Sequence, residues 1–320
     1  MMNKQLHTEY ELEVVAREES ADGVVALDLQ RPDGAPLPDW TAGAHIDLVL
    51  DEDVVRQYSL VELGNNETCW RIGVLNVHDG RGGSRRIHES LTIGTIVRAR
   101  GPRNHFALEP AQKYIFIAGG IGITPITGMI VEAERRGVPW TLAYGGRSRS
   151  SMAFADCLEG QFGDRVDIVP EDERGFIDFK TLLEKPDQNT LIYCCGPEPL
   201  LNAVERASEE WPAGAMHFER FVPFETGDAK PNEAFEVEFA VSGVVLEVPA
   251  DKSILQVADE AGIDVLSSCA EGTCGTCETY IVSGEVEHRD SVLSAEEKAA
   301  NKSMMICVSR AACPRLVLEL

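Results

Sequence analysis

The chain has 320 residues, of which 44% are hydrophobic and 26% are charged. Domains have roughly 100–200 residues, so this length predicts two or three of them, and the ordinary composition excludes a disordered or fibrous protein. The formal net charge is −24, from 29 Lys and Arg against 53 Asp and Glu. Because so acidic a surface repels phosphate groups and anionic lipid heads, we expect neither nucleic acid nor a membrane as a partner.

Targeting signals and cysteine usage indicate the compartment. The N-terminal stretch lacks the apolar core of a secretory signal. Residues 114–131 carry no charge, but their glycines and Pro125 favour a buried strand, a turn and a helix over a membrane span. Nine cysteines, four of them gathered towards the end of the chain, favour metal binding in a reducing compartment over disulfide bonds. We therefore expect a cytoplasmic protein.

Short strands separated by turn clusters dominate the first 110 residues. Because no long helical period interrupts them, the pattern predicts an antiparallel β-barrel domain over residues 1–110. The predicted strands are Tyr10–Ala16, Val24–Leu29, His45–Leu50, Gln57–Val61, Trp70–Val77 and Ile96–Ala99.

From Lys113 onward, apolar strands alternate with helices, which predicts a parallel α/β sheet in a domain of residues 111–225. The predicted strands are the YIFIAGG run at 114–120, Trp140–Tyr144, Val166–Pro170 and Thr190–Cys194. The predicted helices are Ile126–Arg136, Met152–Glu159, Phe179–Leu183 and Glu198–Glu210.

A polar stretch with glycine and proline at residues 222–233 is typical of a linker. A third predicted domain, residues 233–320, follows it. This domain begins with a hairpin of Phe235–Val241 and Val244–Val248, continues with a helix over Ile254–Ala261, and then enters a cysteine-rich loop.

The cysteine-rich loop gives the most specific chemical signal. Cys269, Cys274 and Cys277 are spaced C-x4-C-x2-C, and Cys307 follows after 29 intervening residues. This is the spacing of plant-type [2Fe–2S] ferredoxins, in which four thiolates bind two irons. The sequence therefore predicts such a cluster in the third domain.

Two alternatives stay open for these cysteines. A structural zinc site is one, although zinc ligands usually come as two separate pairs and the second pair is missing here. Cys313 is an alternative fourth ligand, but the apolar segment before Cys307 favours Cys307. Three other cysteines are expected to be inert core residues: Cys69, Cys157 and Cys194.

Two turns of the α/β domain carry ligand-binding features. Gly120, Gly122 and Pro125 form G-x-G-x-x-P between a strand and a helix, where a dinucleotide backbone can approach and the helix N-terminus favours phosphate. Residues 195–197, Cys-Gly-Pro, follow another strand, and open α/β sheets bind ligands at the carboxyl ends of strands. Plain strand-to-helix turns are the alternative for both.

A basic island interrupts the acidic barrel segment. It comprises Arg56-Gln57-Tyr58-Ser59 and the glycine- and arginine-rich residues 80–86. Glycines beside hydroxyls and arginines form phosphate nests, and Tyr58 can stack on an aromatic ligand. The alternative is an arginine-rich barrel surface without a ligand.

Together these motifs resemble the ferredoxin–NADP reductase superfamily. Residues 56–59 match its R-x-Y-S flavin motif, and GGIGITP at 119–125 and CCGPEP at 194–199 match its nicotinamide-domain motifs. With a plant-type cluster segment at the C-terminal end, the chain resembles the phthalate dioxygenase reductase family over essentially its whole length. The implied fold is multidomain: an antiparallel β-barrel flavin domain, a parallel-sheet α/β NAD domain, and an α+β plant-type ferredoxin domain of the β-grasp type.

The resemblance also implies cofactors and the residues that bind them. FMN, favoured over FAD, would bind at Arg56, Gln57, Tyr58, Ser59, Arg81, Gly82, Gly83 and Ser84. NADH would bind at Gly120, Gly122, Ile123, Thr124, Pro125, Cys195, Gly196 and Pro197. The resemblance implies three catalytic residues: Thr124 at the flavin edge, Cys195, and Phe221 over the flavin face. Phe218 is the alternative to Phe221 for the last of these positions. The implied cluster ligands are Cys269, Cys274, Cys277 and Cys307.

Arg147 and Arg149 leave the coenzyme preference open. They follow the second α/β strand, where NADP-preferring relatives bind the 2′-phosphate. Phthalate-type members of the family use NADH, so NADH is favoured.

The implied function is transfer of electrons from NADH through FMN and the cluster, one at a time, to the oxygenase component of a two-component Rieske-type system. Residues 226–320 carry 7 basic and 17 acidic side chains, a net charge of −10, which suits a transient partner with a basic patch. We expect a monomer. The alternatives are a cytochrome P450 or di-iron hydroxylase as acceptor and, from another class, a flavin–cluster redox sensor, for which no effector segment is found.

Overall fold

The computed structural model describes residues 9–51, 54–63, 68–78, 80, 82–223 and 232–320. The chain forms two compact units, Met1–Glu219 and Arg220–Leu320. The first unit contains a six-stranded and a five-stranded sheet, and the second contains a smaller five-stranded sheet and a separate pair of short strands. The predicted multidomain fold class is confirmed.

The six-stranded sheet forms the predicted barrel. Its strands are β1 (Glu9–Ala21), β2 (Val24–Gln30), β3 (His45–Asp51), β4 (Val54–Ser59), β5 (Trp70–Leu75) and β6 (Ile96–Arg103). All neighbours pair antiparallel in the order β4-β3-β6-β1-β2-β5. A bridge between Leu60 and Ile72 closes the barrel beside its two outer strands. Alternate side chains fill the interior, as Leu12 and Val14 do from β1.

Helix α1 (Gly83–Ser90) of the same unit is not predicted by the sequence. It buries only Gly83 and Ile87, so no apolar repeat marks it. The helix begins after Gly82, whose φ of 80° is the left-handed conformation that glycine adopts readily. The segment predicted as a phosphate nest is therefore the N-terminus of a helix.

The five-stranded sheet of the first unit is parallel throughout, in the order β11-β10-β7-β8-β9. Its strands are β7 (Lys113–Gly119), β8 (Trp140–Gly146), β9 (Val166–Pro170), β10 (Thr190–Cys195) and β11 (Met216–Glu219). The helices are α2 (Ile123–Arg136), α3 (Ala155–Phe162), α4 (Glu171–Arg174), α5 (Phe179–Leu182) and α6 (Glu198–Ala207). The central strands β7 and β10 are almost wholly buried, as continuous apolar runs are in parallel sheets.

The second unit is a mixed sheet with a helix packed against it. Its strands are β12 (Phe235–Phe239), β13 (Val244–Val248), β14 (Glu278–Ser283), β15 (Val286–Glu287), β16 (Ser303–Met305), β17 (Arg310–Ala311) and β18 (Arg315–Leu318). Its helices are α7 (Ile254–Glu260) and α8 (Ala295–Ala300). The sheet order is β13-β12-β18-β14-β16, with β12 and β13 forming the predicted antiparallel hairpin. Ile254 and Val257 of α7 share one buried core with Phe239 and Leu316.

The predicted domain boundaries fall partly outside what the structure describes. The boundary at residues 110–111 lies inside the first unit and stays a prediction. Most of the predicted linker lies in residues 224–231, which are not among the described residues. The uncharged stretch 114–131 forms part of β7, a tight turn and the beginning of α2. No helix in the described part of the chain is long and apolar enough to cross a membrane.

Candidate functional site

Strand β4 and the start of α1 form the candidate flavin phosphate site. A Cβ atom at Gly83 would lie 2.7 Å from Cγ and from Nε of Arg56, so the arginine side chain lies against the first residue of the helix. The first N–H groups of a helix lack partners within it and carry partial positive charge. With the Arg56 guanidinium they provide donors and charge suited to a phosphate monoester. Arg81, also predicted here, lies outside the described residues.

The other predicted flavin residues lie on the same elements. Tyr58 is half-buried against the barrel core, and burial raises the pKa of its phenol. Gln57 donates from Nε2 to Asp47 Oδ1 at 3.1 Å, and Ser59 is buried at the end of β4. Ser84 Oγ accepts a hydrogen bond of 3.0 Å from the backbone of the loop before α1. Their roles in flavin binding stay predictions.

The two predicted nicotinamide turns interlock at the carboxyl edge of the parallel sheet. β7 and β10 are neighbours, and Ala118 pairs with Cys195 at their ends. A Cβ atom at Gly122 would lie 2.3 Å from the carbonyl oxygen of Cys195, and one at Gly119 would lie 2.8 Å from Cδ of Pro197. Only glycine permits this approach, so the two turns pack tightly together, with backbone against backbone at Gly122. Such an edge suits the close approach of a dinucleotide.

Thr124 lies at the junction of the parallel sheet and the barrel. It stands in the first turn of α2 between Ile123 and Pro125 and is 2% exposed. Its hydroxyl donates to the Ile121 carbonyl at 2.9 Å. A Cβ atom at Gly73 of β5 would lie 2.9 Å from the Thr124 methyl group, so the barrel strand packs directly on this threonine. The position between the two sheets is compatible with the predicted flavin edge.

Glu219 is a site residue that the sequence reasoning missed. The last pair of β10 and β11 joins Cys195 and Glu219, and Cys195 Sγ lies 3.9 Å from Glu219 Oε2. Burial raises the pKa of Glu219 to about 8 and, with the nearby glutamate, raises that of Cys195 well above its usual value. Both groups are therefore predominantly protonated at pH 7. No spacing signal marks Glu219, because β11 has only four residues and its register with β10 cannot be read from the sequence.

Phe218 and Phe221, the two aromatic residues considered for the flavin face, belong to different units. Phe218, the alternative, packs against a core of the first unit. Phe221 belongs to the second unit and is 43% exposed. The role of Phe221 over the flavin stays a prediction.

Arg147 and Arg149, which follow β8, differ in their surroundings. Arg149 Nη2 forms ion pairs with Asp156 Oδ1 at 2.5 Å and Glu159 Oε2 at 2.7 Å. Arg147 is exposed, and its carbonyl accepts the Asp172 N–H at 3.2 Å. The guanidinium charge of Arg149 is thus matched by two carboxylates of α3.

Phe176 is a second residue that the sequence reasoning did not single out. It is 81% exposed in the loop between α4 and α5. A Cβ atom at Gly145, the second-last residue of strand β8, would lie 3.1 Å from Cδ1 of Ile177, so this loop packs at the carboxyl end of β8. An exposed aromatic ring at a ligand-binding sheet edge is a candidate stacking surface. The only sequence signal is an aromatic residue after the charged run 171–174.

The four predicted cluster ligands lie together in the second unit. Cys269, Cys274, Cys277 and Cys307 are all buried. Their thiols are in contact in three pairs: Cys269 with Cys274, Cys269 with Cys307, and Cys277 with Cys307. The contacts with Cys274 and Cys307 lower the pKa of Cys269 well below its usual range. The loop and the distant fourth cysteine therefore converge, as the spacing predicts.

The backbone of the cysteine loop fits a cluster. Glu271 and Thr273 donate their backbone N–H groups to Cys269 Sγ at 3.3 and 3.5 Å. Left-handed φ angles of 55° at Ala270 and 71° at Gly272 fold the loop around that sulfur. In the described residues no three Cys, His, Asp or Glu side chains are placed to hold one metal ion. Paired thiols suit a [2Fe–2S] cluster, in which each iron takes two thiolates.

The remaining cysteines lie in different surroundings. Cys313 Sγ accepts the Glu285 N–H at 3.2 Å and donates to the Arg315 carbonyl at 3.1 Å, so these contacts are to the backbone before β15 and at the start of β18. Cys194 is buried, as expected. The expectation that Cys157 is a core residue is wrong, because it is exposed on α3, and Cys69 is only half-buried.

Comparison with known proteins agrees with this arrangement. Family models match residues 238–312 as a 2Fe-2S iron-sulfur cluster binding domain and residues 116–206 as an oxidoreductase NAD-binding domain. The phthalate 4,5-dioxygenase oxygenase reductase subunit of Pseudomonas putida is 38% identical, with 97% of this chain and 96% of that protein covered.

Two solved structures resemble the whole chain. Phthalate dioxygenase reductase, described as a modular structure for electron transfer from pyridine nucleotides to [2Fe-2S], is 36% identical with a TM-score of 0.71, and 98% of each chain is covered. An intact type IV self-sufficient cytochrome P450 monooxygenase is 42% identical with a TM-score of 0.91. The match covers 98% of this chain but 41% of that protein. This chain therefore belongs to the phthalate dioxygenase reductase family and is an oxidoreductase with an NAD-binding domain and a 2Fe-2S domain.

Proposed function

We propose that this chain is an NADH-dependent reductase that passes electrons through FMN and a [2Fe–2S] cluster, one at a time, to the oxygenase component of a two-component Rieske-type system. The observation that carries the proposal is the presence, in one chain, of four buried thiols in contact and a glycine-lined sheet edge at Gly122 and Cys195. The thiols suit a carrier of single electrons, and the edge suits a coenzyme that donates pairs. The proposed function is to convert the electron pair of the coenzyme into single electrons for the acceptor.

The residues of the chain bind and orient the redox groups. When bound, NADH supplies a hydride, the flavin accepts electrons in pairs and releases them singly, and the cluster carries single electrons. Arg56 and the start of α1 would hold the flavin phosphate, and the edge where Gly122 packs on the Cys195 backbone would receive the dinucleotide. Because Cys195 and Glu219 are predominantly protonated at pH 7, they add little negative charge where the coenzyme approaches.

The helix N-terminus supports FMN over FAD. FMN ends in a phosphate monoester, which carries roughly −1.5 to −2 charge at pH 7 and suits a helix start beside an arginine. Chromatography of the flavin released by heating should therefore show FMN. Arg56→Ala should raise the dissociation constant for FMN at least tenfold, since a charge-assisted hydrogen bond contributes about 1.5–3 kcal/mol. Arg98→Ala, which removes an exposed arginine of β6 that pairs with Glu9, is the control and should leave FMN affinity nearly unchanged. Release of FAD would contradict the assignment.

The surroundings of β8 support NADH over NADPH. A 2′-phosphate would have to compete with Asp156 and Glu159 for the guanidinium of Arg149. The exposed ring of Phe176 provides a stacking surface for the adenine at the same edge of the sheet. The adenosine of NADH carries no 2′-phosphate, so it needs the stacking surface of Phe176 but not the guanidinium of Arg149.

The acidic second unit supports a partner with a basic docking patch. Complementary charge raises association rates most at low ionic strength. The rate of electron transfer from the reduced chain to a Rieske oxygenase should therefore fall as salt is added. A rate that does not depend on ionic strength would contradict electrostatic docking.

The similarity to the self-sufficient P450 monooxygenase favours a second candidate acceptor. At 42% identity and a TM-score of 0.91, the present chain resembles a portion of a protein that also contains a P450. A P450 takes up single electrons as well, so the chemistry inside this chain would be the same. The two candidates differ only in the surface to which the second unit delivers electrons.

Reconstitution distinguishes the acceptors. The purified chain, NADH and either a Rieske oxygenase or a P450, each with its own substrate, should be compared by product formed per NADH consumed. We expect close coupling with the Rieske oxygenase and uncoupled NADH oxidation with the P450. The reverse result would favour the P450 acceptor. Failure with both, despite reduction of a dye by NADH, would contradict a role as an oxygenase reductase.

A further inference from the structure

Asp290 is a buried carboxylate in the second unit that the proposed electron path does not use. Its side chain is fully buried, and the residue as a whole is 2% exposed. A buried carboxylate needs hydrogen-bond donors or cations to offset the loss of its hydration. The groups that meet this need come from several segments of the chain.

The donors to Asp290 are partly local. Its Oδ2 accepts the N–H groups of Val292 at 3.2 Å and Leu293 at 2.8 Å, which forms a tight turn. Lys298 Nζ lies 3.9 Å from Oδ2 and donates to the Asp290 carbonyl at 2.7 Å. His288 Nδ1 lies 3.7 Å from Oδ1. These contacts link Asp290 to residues on both sides of it, from His288 to Lys298.

A further contact reaches the segment that carries the fourth cysteine. Ser309 is fully buried, and its hydroxyl donates to Asp290 Oδ1 at 3.4 Å. The same hydroxyl accepts the N–H of Arg289 at 3.1 Å. Ser309 stands two residues after Cys307, so Asp290 is tied to the turn that supplies this sulfur.

The other side of the Asp290 backbone contacts the cysteine loop. A Cβ atom at Gly272 would lie 3.1 Å from Cα of Asp290 and 2.6 Å from Cγ2 of Val308. The N–H of Ser291 donates to the Gly272 carbonyl at 2.9 Å. Gly272 lies between Cys269 and Cys274, so the loop, the Asp290 turn and the Cys307 turn meet at this glycine.

We infer that Asp290 is a positioning residue of the cluster site, which fixes the loop of Cys269–Cys277 relative to Cys307 through Gly272 and Ser309. This inference rests on the proposed function, because it takes these four cysteines as the cluster ligands. Outer partners of metal ligands set ligand geometry, and their loss typically costs 10–100-fold in metal affinity or activity. Asp290 does not touch the cluster ligands through its carboxylate; it acts through the segments that carry them.

The test uses the full chain with its flavin and cluster. Asp290→Ala should raise the rate at which a chelator removes iron about tenfold and shift the g-values of the reduced cluster. Asp290→Asn keeps the size and one acceptor of the side chain, so it should restore most of the iron retention while still shifting the spectrum. Ser309→Ala, a smaller change, should give an intermediate rate of iron loss and serves if Asp290→Ala does not fold.

The control is Asp259→Asn, which removes the same charge from the exposed face of α7. It should match the wild type in iron loss and in spectrum. If all the Asp290 and Ser309 variants also match the wild type, the positioning role is wrong while the cluster assignment stands. If the wild type itself binds no [2Fe–2S] cluster, the proposed function fails instead.

Discussion

Gly122 and Cys195 are in backbone contact across the carboxyl edge of the parallel sheet. A Cβ atom at Gly122 would lie 2.3 Å from the Cys195 carbonyl oxygen and 2.5 Å from its carbonyl carbon. The atoms approached are backbone, so no side-chain rotation can relieve the overlap. The two turns that the sequence marks separately are therefore parts of one surface.

Gly122→Ala should separate these turns and weaken the coenzyme site. A displacement of about 1 Å in a positioned site can cost 100-fold in rate, so we expect kcat/KM for NADH to fall by about that factor. Steady-state reduction of a dye by NADH measures the effect. Gly160→Ala is the control, because a Cβ there meets no atom within 4 Å in helix α3. Unchanged NADH kinetics in Gly122→Ala would contradict the assignment of this edge.

Cys307→Ser and Cys313→Ser test the fourth cluster ligand. Cys307 contacts the thiols of Cys269 and Cys277, whereas Cys313 forms hydrogen bonds with the backbone of Glu285 and Arg315. We expect Cys307→Ser to lose the reduced-cluster EPR signal but to keep NADH-dependent dye reduction through the flavin. Cys313→Ser should keep both. Loss of the cluster in Cys313→Ser alone would assign that cysteine as the ligand.

Removing the carboxylates that pair with Arg149 should change the coenzyme preference. In Asp156→Ala/Glu159→Ala the Arg149 guanidinium becomes available to a 2′-phosphate, so kcat/KM for NADPH relative to NADH should rise about tenfold, equivalent to ~1.4 kcal/mol. Glu209→Ala/Glu210→Ala, which removes two exposed charges elsewhere, controls for net charge. An unchanged preference in the first variant would show that Arg149 does not face the coenzyme.

Glu219 should make the stability of the first unit depend on pH. The unfolded chain ionises this carboxyl near its usual pKa of 4.5, whereas burial keeps it protonated in the folded chain up to about 8. Between these values the folded state binds the additional proton, so stability should fall as pH rises, by at most about 1.4 kcal/mol per pH unit. Glu219→Gln should lose this dependence. Thermal unfolding of both forms at pH 5, 6.5 and 8 measures the difference, and parallel curves would contradict the burial of a neutral carboxyl.

Much of the fold is encoded locally and could be predicted. The central strands β7 and β10 are continuous apolar runs, and β1 alternates between buried and exposed residues, so periodicity identifies them. Helix α1 and strand β11 were missed because they are short and have little apolar surface. Their existence depends on packing against β4 and β5 for α1 and on pairing with β10 for β11, which no local pattern reveals.

The residues of the candidate site likewise fall into two groups. A local sequence pattern predicts some of them, and only the folded structure reveals the others. The spacing of Cys269, Cys274 and Cys277 predicts a shared loop, and the structure brings Cys307 to it. The pairing of Glu219 with Cys195 depends on the register of β10 and β11, which no local pattern reveals. The hydrogen bond from Ser309 to Asp290 likewise joins residues that only the folded sheet brings together.

An anaerobic titration with NADH, followed by low-temperature EPR, tests the proposed electron path most directly. The flavin absorbance should bleach, and a rhombic signal of a reduced [2Fe–2S] cluster should grow with it until the iron bound to the chain is accounted for. A flavin that bleaches without a cluster signal, in protein that contains the iron, would contradict the account. The chain would then be a flavin reductase whose cluster does not accept electrons from NADH.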